Sequence, residues 1–245
     1  MREGSILNAL KDDLYRIGDL QVLLYDKARV DIFPEGYLSK LYQLCKLSGR
    51  RNKLGILPQL FCGMPDLSHD AITTYLASRP VLVFVIWSGE SFFEAGFAFP
   101  TALPVIGNRV GPERSLFVGY GMFKGVWGRH EAEILGMLGL AYFFLEYDLG
   151  AVHSVRYCWN DLTARFVRRY GFRDVGTIPR YMLEDGKLVA ASASSLLVED
   201  FEFYVERKLV ELLRAGVLTD DRQPQMPGPV RPHRPKVPNL PVRHP

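Results

Sequence analysis

LFVGYGMFKGVWGRHEAEILG, residues 116–136, is the stretch whose reading decides the fold. Its first eight residues are apolar or aromatic with two glycines and read as a strand. A Gly-rich turn follows, and then the start of a long apolar helix. A turn of this kind leaves several backbone N–H groups without helical partners, all pointing at one spot, and the helix dipole adds positive potential there. A chain builds a seat for a phosphate anion in this way. One strand later comes NDLTARFVRRYGF, residues 160–172, a helix opened by Asn160 and closed by Gly171. Together the two stretches predict a domain that holds a phosphate-bearing cofactor over the end of a sheet.

Working outward, 81–87 is the uninterrupted apolar run VLVFVIW, the mark of a strand buried on both faces. Ser88-Gly89-Glu90 turns the chain, 91–99 is its hairpin partner, and 101–112 is a Pro/Gly-rich loop. The helix over 130–147 is apolar on most faces and so largely buried, with Gly150 placed to end it in the left-handed conformation. A strand over 152–159 precedes the helix that Asn160 caps. A hairpin over 174–194 and an amphipathic helix over 200–218 complete the second half. Before residue 80 the spacing predicts an amphipathic helix over 5–17, a strand within 21–32, a helix over 35–47 behind Pro34, a loop over 48–67 and a helix opened by Ser68 and His69. Alternating strands and helices argue for a mixed α/β sheet.

A chain of 245 residues, 48% of them hydrophobic, can bury one substantial core. No apolar run reaches membrane-spanning length, and no secretory signal is visible at the N-terminus. Cys45, Cys62 and Cys158 are odd in number, far apart and without zinc spacing, which fits reduced thiols in a cytoplasmic setting. Cys158 reads as a buried core thiol. The net charge of +3 hides a division. Residues 223–245 carry Arg231, Arg234, Lys236 and Arg243 and no acid, so the remainder is close to −1. A nearly neutral body argues against nucleic-acid binding by the folded part. Eight of the sixteen prolines lie between Pro224 and Pro245, five of them (229, 232, 235, 238, 241) every third residue. That spacing lines one edge of a polyproline II helix, either an unpacked stiff tail or a ligand for an aromatic groove on a partner.

Several chemistries are excluded by motif. Lys124 stands where a dinucleotide fingerprint needs its third glycine. No Walker arrangement and no G-x-S-x-G elbow occurs.

What remains has a family likeness. GY-GMFKGV-WGRHEA resembles the acetyl-CoA-binding segment of the GNAT superfamily of N-acetyltransferases, and more closely its RimJ/RimL-like branch. Gly119 and Tyr120 match the strand's end, Trp127 and Gly128 the Trp-Gly pair, and Ala132 the small residue of the helix's first turn. Asn160, Thr163, Gly171 and Phe172 match the following helix, and the 175–202 hairpin and helix start resemble the branch's ending. The likeness spans about 80–202.

The resemblance implies a GNAT-like α/β (α+β) domain over 21–219: a mixed, mostly antiparallel twisted sheet with splayed central strands and helices on both faces. A helical extension over 1–20 precedes it and the Pro-rich tail over 220–245 follows. It implies transfer of an acetyl group from acetyl-CoA to a primary amine by direct attack, and a monomer or homodimer. Backbone groups of Tyr120, Met122 and Phe123 would hold the pantetheine arm. Lys124, Val126, Trp127, Gly128, Arg129, His130, Glu131 and Ala132 would surround the pyrophosphate. Asn160 would grip the arm from the opposite strand, and Thr163 would donate to the leaving thiolate. Tyr120 and Thr163 are catalytic candidates, with Glu94 as a base acting through water.

The chain departs from the pattern at His130, which replaces a glycine and costs strain if that position needs φ > 0, and at Val167, where many members carry a tyrosine acid. These departures motivate the alternative of a catalytically weak or inactive acyl-CoA-binding module. Each candidate also has a structural reading. Tyr120 and Trp127 serve equally as core aromatics, Thr163 and Asn160 as local caps, Glu90 and Glu94 as solvated charges, and His153 as a structural strand residue.

Overall fold

The computed structural model describes residues 6–48, 56–61, 64, 66–101, 115–184 and 187–216. The Pro-rich tail, most of the predicted 101–112 loop and Cys62 lie outside the described residues. In chain order the elements are α1 (Ile6–Asp12), β1 (Arg16–Ile17), β2 (Leu20–Leu24), α2 (Tyr37–Leu47), α3 (Leu57–Leu60), α4 (His69–Ala77), β3 (Leu82–Ser88), β4 (Ser91–Pro100) and β5 (Ser115–Met122). A 3-10 turn at Lys124–Val126 leads to α5 (His130–Glu146), β6 (Ala151–Tyr157), α6 (Asp161–Arg169), β7 (Arg173–Glu184), β8 (Lys187–Leu197) and α7 (Val198–Arg214).

The eight strands form a sheet ordered β1-β2-β3-β4-β5-β6-β8-β7. Every neighbouring pair is antiparallel except β5 and β6, which are parallel. The apolar run in β3 is buried on both faces because helices cover both. On one face α5 packs with α1 and α7 over Phe84, Ala98, Val118 and Val152. On the other, α2, α3 and α4 enclose Val83, Val85, Phe97 and Phe99. α5 is apolar nearly all round because it meets the sheet on one side and other helices on the rest; eleven of its seventeen residues are buried. At about 25 cal/mol per Å² of apolar surface, such a helix is held by tertiary burial rather than by propensity.

Four expectations need correction. The first helix ends at Asp12, because Leu14 and Tyr15 take left-handed φ values of 53° and 52° and turn the chain into β1. The expected loop over 48–67 contains α3, whose Leu60 packs where Gly121 has no side chain. The left-handed residue after α5 is Asp148 (φ 50°) rather than Gly150; a short polar side chain tolerates that region better than most. Cys158 is exposed, since it lies in the turn after β6 rather than within the strand.

Candidate active site

The parallel pair β5–β6 is joined over three rungs, Ser115↔Ala151, Leu116↔Val152 and Phe117↔His153. Beyond them β5 continues to Met122 against β4, and β6 continues to Tyr157 against β8, with no further pairing between the two. The sheet therefore forks between β5 and β6. Backbone groups alternate sides along a strand. Phe123 N–H donates to Ala95 O at 2.8 Å and Phe117 O accepts from Thr101 N at 2.8 Å, both on the β4 side. The N–H groups of Tyr120 and Met122 and the carbonyl of Tyr120 accordingly turn into the fork.

The end of β5 delivers the chain to the mouth of α5. Trp127 Nε1 donates to Met122 O at 2.7 Å, and Lys124 N–H donates to Ser48 Oγ at 3.2 Å, which pins the connecting loop. Gly128 carries φ 75°, so the left-handed residue is the glycine that is present and His130 needs no strain. Arg129 is the N-cap, with extended backbone and no side-chain cap hydrogen bond. The first N–H groups of a seventeen-residue helix are thus left without a side-chain acceptor. Lys124, Arg129 and His130 stand exposed around them. The His130 ring leans toward Glu133, 3.8 Å from its carboxylate, rather than over the mouth.

On the other prong, Asn160 caps α6: its Oδ1 accepts from Thr163 N at 3.1 Å. The Thr163 hydroxyl has no protein partner among the described residues. Asp161 sits in the helix's first turn. Fork, uncapped helix mouth and Asn160–Thr163 lie in sequence around one end of the sheet. They offer N–H donors to a diphosphate, backbone amides to an amide-bearing arm and a hydroxyl to a leaving group, and in that sense fit a coenzyme A thioester.

Two of the three proposed catalytic side chains are elsewhere. Tyr120 stacks on Phe166 at 5.4 Å between ring centroids, on the face covered by α5 and α6. Its phenol bonds to Tyr170, and burial drives its pKa well above the usual range, so it stays protonated. What Tyr120 presents to the fork is its backbone. Glu94 lies on β4 past the Gly96↔Met122 rung, facing α2, where Lys40 Nζ holds its carboxylate at 2.6 Å. Its side chain is only 6% exposed. The structure does not bring it to the fork. A void of about 20 Å³ lined by Tyr120, Ser154, Val167 and Tyr170 sits behind the fork on the α5 side.

His153, read from the sequence as a structural strand residue, lies on the last joined rung. Its ring rests 4.9 Å from that of Phe117, and burial lowers its pKa. Periodicity marks it only as a polar residue in a strand; the place where β6 leaves β5 is not written in any local pattern.

No protein-family model matches the chain, and no curated protein matches it. Solved structures do match. The chain resembles a spermidine N-acetyltransferase from Vibrio cholerae in complex with CoA and spermine, with TM-score 0.54 and 15% identity over 75% of this chain and 98% of that one. It resembles a ribosomal-protein-S5-alanine acetyltransferase from Vibrio fischeri with TM-score 0.50 and 13% identity over 76% and 97%. A ribosomal-protein α-N-acetyltransferase in complex with coenzyme A matches with TM-score 0.52 and 12% identity over 74% and 96%. The chain has the GNAT acetyltransferase fold. The parallel, forked pair at the middle of an otherwise antiparallel sheet is where the GNAT fold and the predicted motifs coincide: β5 carries Gly119-Tyr120, α5 opens at His130 and α6 opens behind Asn160. The sheet class, the splayed central strands and the helices on both faces expected from the sequence are all present in it. Among the described residues no helix is long and apolar enough to cross a membrane, and no group of three or more His, Cys, Asp or Glu could hold a metal ion.

Proposed function

We propose that this protein is an N-acetyltransferase that moves an acetyl group from acetyl-CoA to a primary amine. The observation that carries the reading is the fork, with bare backbone donors on β5 and an uncapped α5 mouth at its end. Acetyl-CoA supplies the activated acyl carbon and a thiolate leaving group. The N–H groups of His130, Glu131 and Ala132 receive the diphosphate, helped by the helix dipole. Tyr120 and Met122 N–H groups hold the arm and face the carbonyl oxygen as charge grows on it. Thr163 donates to the departing sulfur. The acceptors named for the matched folds, a polyamine and a ribosomal-protein α-amine, define the first panel to try. Incubation with acetyl-CoA and those amines is expected to release free CoA in proportion to acetylated product. Release from none of a broad amine panel removes the proposal.

A second reading, acyl-CoA binding without turnover, draws on the tight Tyr120–Phe166–Tyr170 packing behind the fork. Calorimetry separates the two, because it predicts heat of acetyl-CoA binding with no product. The tail, by its proline spacing alone, is proposed to dock in an aromatic groove of a partner. Removing residues 220–245 is expected to leave the melting temperature unchanged while abolishing capture by a polyproline-binding domain. A large drop in melting temperature counts against it.

A further inference from the structure

We infer that the acyl site at the closed end of the fork has room for one carbon more than acetyl, so that propionyl-CoA is the better donor. This rests on the acetyltransferase reading above and extends it to the acyl group.

The fork closes at the Phe117↔His153 rung and opens toward the α5 mouth. From Phe117 to Met122, β5 rises about 16 Å at roughly 3.3 Å per residue. An extended pantetheine arm has a similar reach. A diphosphate seated at the α5 mouth therefore places the sulfur deep in the fork, with the acyl carbon beyond it near the closed end. The Tyr120 N–H turned into the fork meets the acyl carbonyl there.

Side chains alternate along both strands. Val118 and Tyr120 of β5 and Ser154 of β6 are the first past the closed end to point toward α5. The void of about 20 Å³ lies between these three, Leu140 of α5, and Val167 and Tyr170 at the end of α6. Tyr120 and Ser154 keep partial exposure although α5 covers that face, so the void communicates with the fork between them.

Its chemistry selects an alkyl group. The wall is aliphatic and aromatic apart from Ser154 and two phenols, and those of Tyr120 and Tyr170 bond each other. An apolar chamber of this kind stays dry and gains from taking up a carbon. No Lys, Arg or His lines it, so it offers nothing to a carboxylated acyl group such as succinyl. Its volume suits one methyl-sized group. The methyl of an acetyl group stops short and leaves it empty, whereas the third carbon of a propionyl group fills it. A fourth has no room, because Phe84 and Tyr170 already press against α5 where Gly139 and Gly136 lack side chains.

The transfer is the same for either acyl group. An ammonium loses one proton to water, and the neutral nitrogen attacks the carbonyl carbon. The C–N bond forms, the C–S bond breaks, and the nitrogen gives its second proton to solvent. The departing thiolate takes one up by way of Thr163, so one proton is released per acyl group transferred.

Calorimetry with a series of acyl-CoA thioesters tests the inference without an acceptor. Propionyl-CoA is expected to bind about fourfold more tightly than acetyl-CoA, as one more buried carbon predicts, and butyryl-CoA no more tightly than propionyl-CoA. Succinyl-CoA is expected to bind more weakly than acetyl-CoA. Val167→Ile puts one methyl group into the void; it is expected to abolish the propionyl advantage while leaving the acetyl-CoA Kd within about twofold. Val167→Ala widens the void and is expected to move the optimum to butyryl-CoA. The same order is expected in kcat/KM with any amine that turns over. Propionyl-CoA that binds no better than acetyl-CoA, or a ratio that Val167→Ile leaves unchanged, overturns the inference and leaves the acetyltransferase reading intact. Wild-type protein that binds no acyl-CoA of any length overturns both. If the variants fail to fold, the wild-type series decides alone.

Discussion

Gly128 and His130 share the entrance to α5, and only one of them carries conformational demand. Gly128 takes φ 75° with nothing within 4 Å of where a side chain would go, whereas His130 begins the helix. Space is therefore not the obstacle at residue 128; the left-handed backbone is. Gly128→Ala is expected to cost about 1–2 kcal/mol, read as a lower urea midpoint. Because the loop aims the helix mouth, acetyl-CoA affinity is expected to fall with it. Gly at position 130 is expected to do little to either quantity, and a marked gain in binding by His130→Gly would show that the imidazole obstructs the mouth. The sequence identified both residues as critical but could not say which one bears the positive φ. Gly and His both reach that region, and the hydrogen bonds that fix the loop, Trp127 to Met122 and Lys124 to Ser48, come from residues five and seventy-six positions away.

At the scale of elements, the fork is kept in shape by what packs behind it. Gly136 in α5 lies against the Tyr170 hydroxyl, which donates to Glu133 O at 3.0 Å. A methyl group at 136 collides with that hydroxyl, so Gly136→Ala is expected to destabilise the fold by about 1–3 kcal/mol, measured by thermal melting. It is also expected to push α6, and with it Thr163, away from the fork, raising KM for acetyl-CoA. Glu133 then gathers Tyr204 at 2.9 Å and the buried Lys208 at 3.3 Å, fastening α7 beside the α5 mouth. On the other prong Arg156 of β6 is 7% exposed, bonds to Ser194 of β8 and reaches Asp174 of β7 at 2.5 Å. One guanidinium thereby ties three strands. Removing its carboxylate with Asp174→Asn leaves a buried charge half-satisfied. With Asp174 37% exposed and screened by solvent, the expected loss is about 1–2 kcal/mol, checked by urea unfolding at neutral pH. Helix and strand identities in this half were legible from periodicity, down to the Asn160 cap. These cross-element ties were not, because nothing in Glu133 or Arg156 names a partner tens of residues away.

For the molecule as a whole, pH dependence follows from which groups burial and pairing have shifted. His153 is held below 6.5 by burial. The unfolded chain takes up a proton there that the native state refuses, so stability present above pH 6.5 is lost as the pH falls through the native value. Asp174 is held below 3.8, chiefly by Arg168 and then by Arg156, and its contribution disappears at still lower pH. At the alkaline end, Tyr120, Tyr170 and Tyr204 keep their protons because they are buried, and stability falls as the unfolded chain ionises above pH 10. Urea midpoints are therefore expected to drop in two acidic stages and again in strong alkali. A midpoint that stays flat between pH 7.5 and 5.5 contradicts the half-buried, neutral state of His153.

The sequence by itself determined the order of elements from β3 onward, the fold class and the two segments that address a phosphate and an amide-bearing arm. Those properties depend on local periodicity, caps and turns, which neighbouring residues settle among themselves. Only the tertiary structure decided that β5 and β6 part after Phe117 and His153, that Lys40 occupies Glu94, that Tyr120 turns its ring away from the fork and that His153 stands at its edge. Each of these is a meeting of residues far apart in the chain. Such meetings are fixed by how two layers of helices pack on a twisted sheet, a global condition that no window of sequence contains.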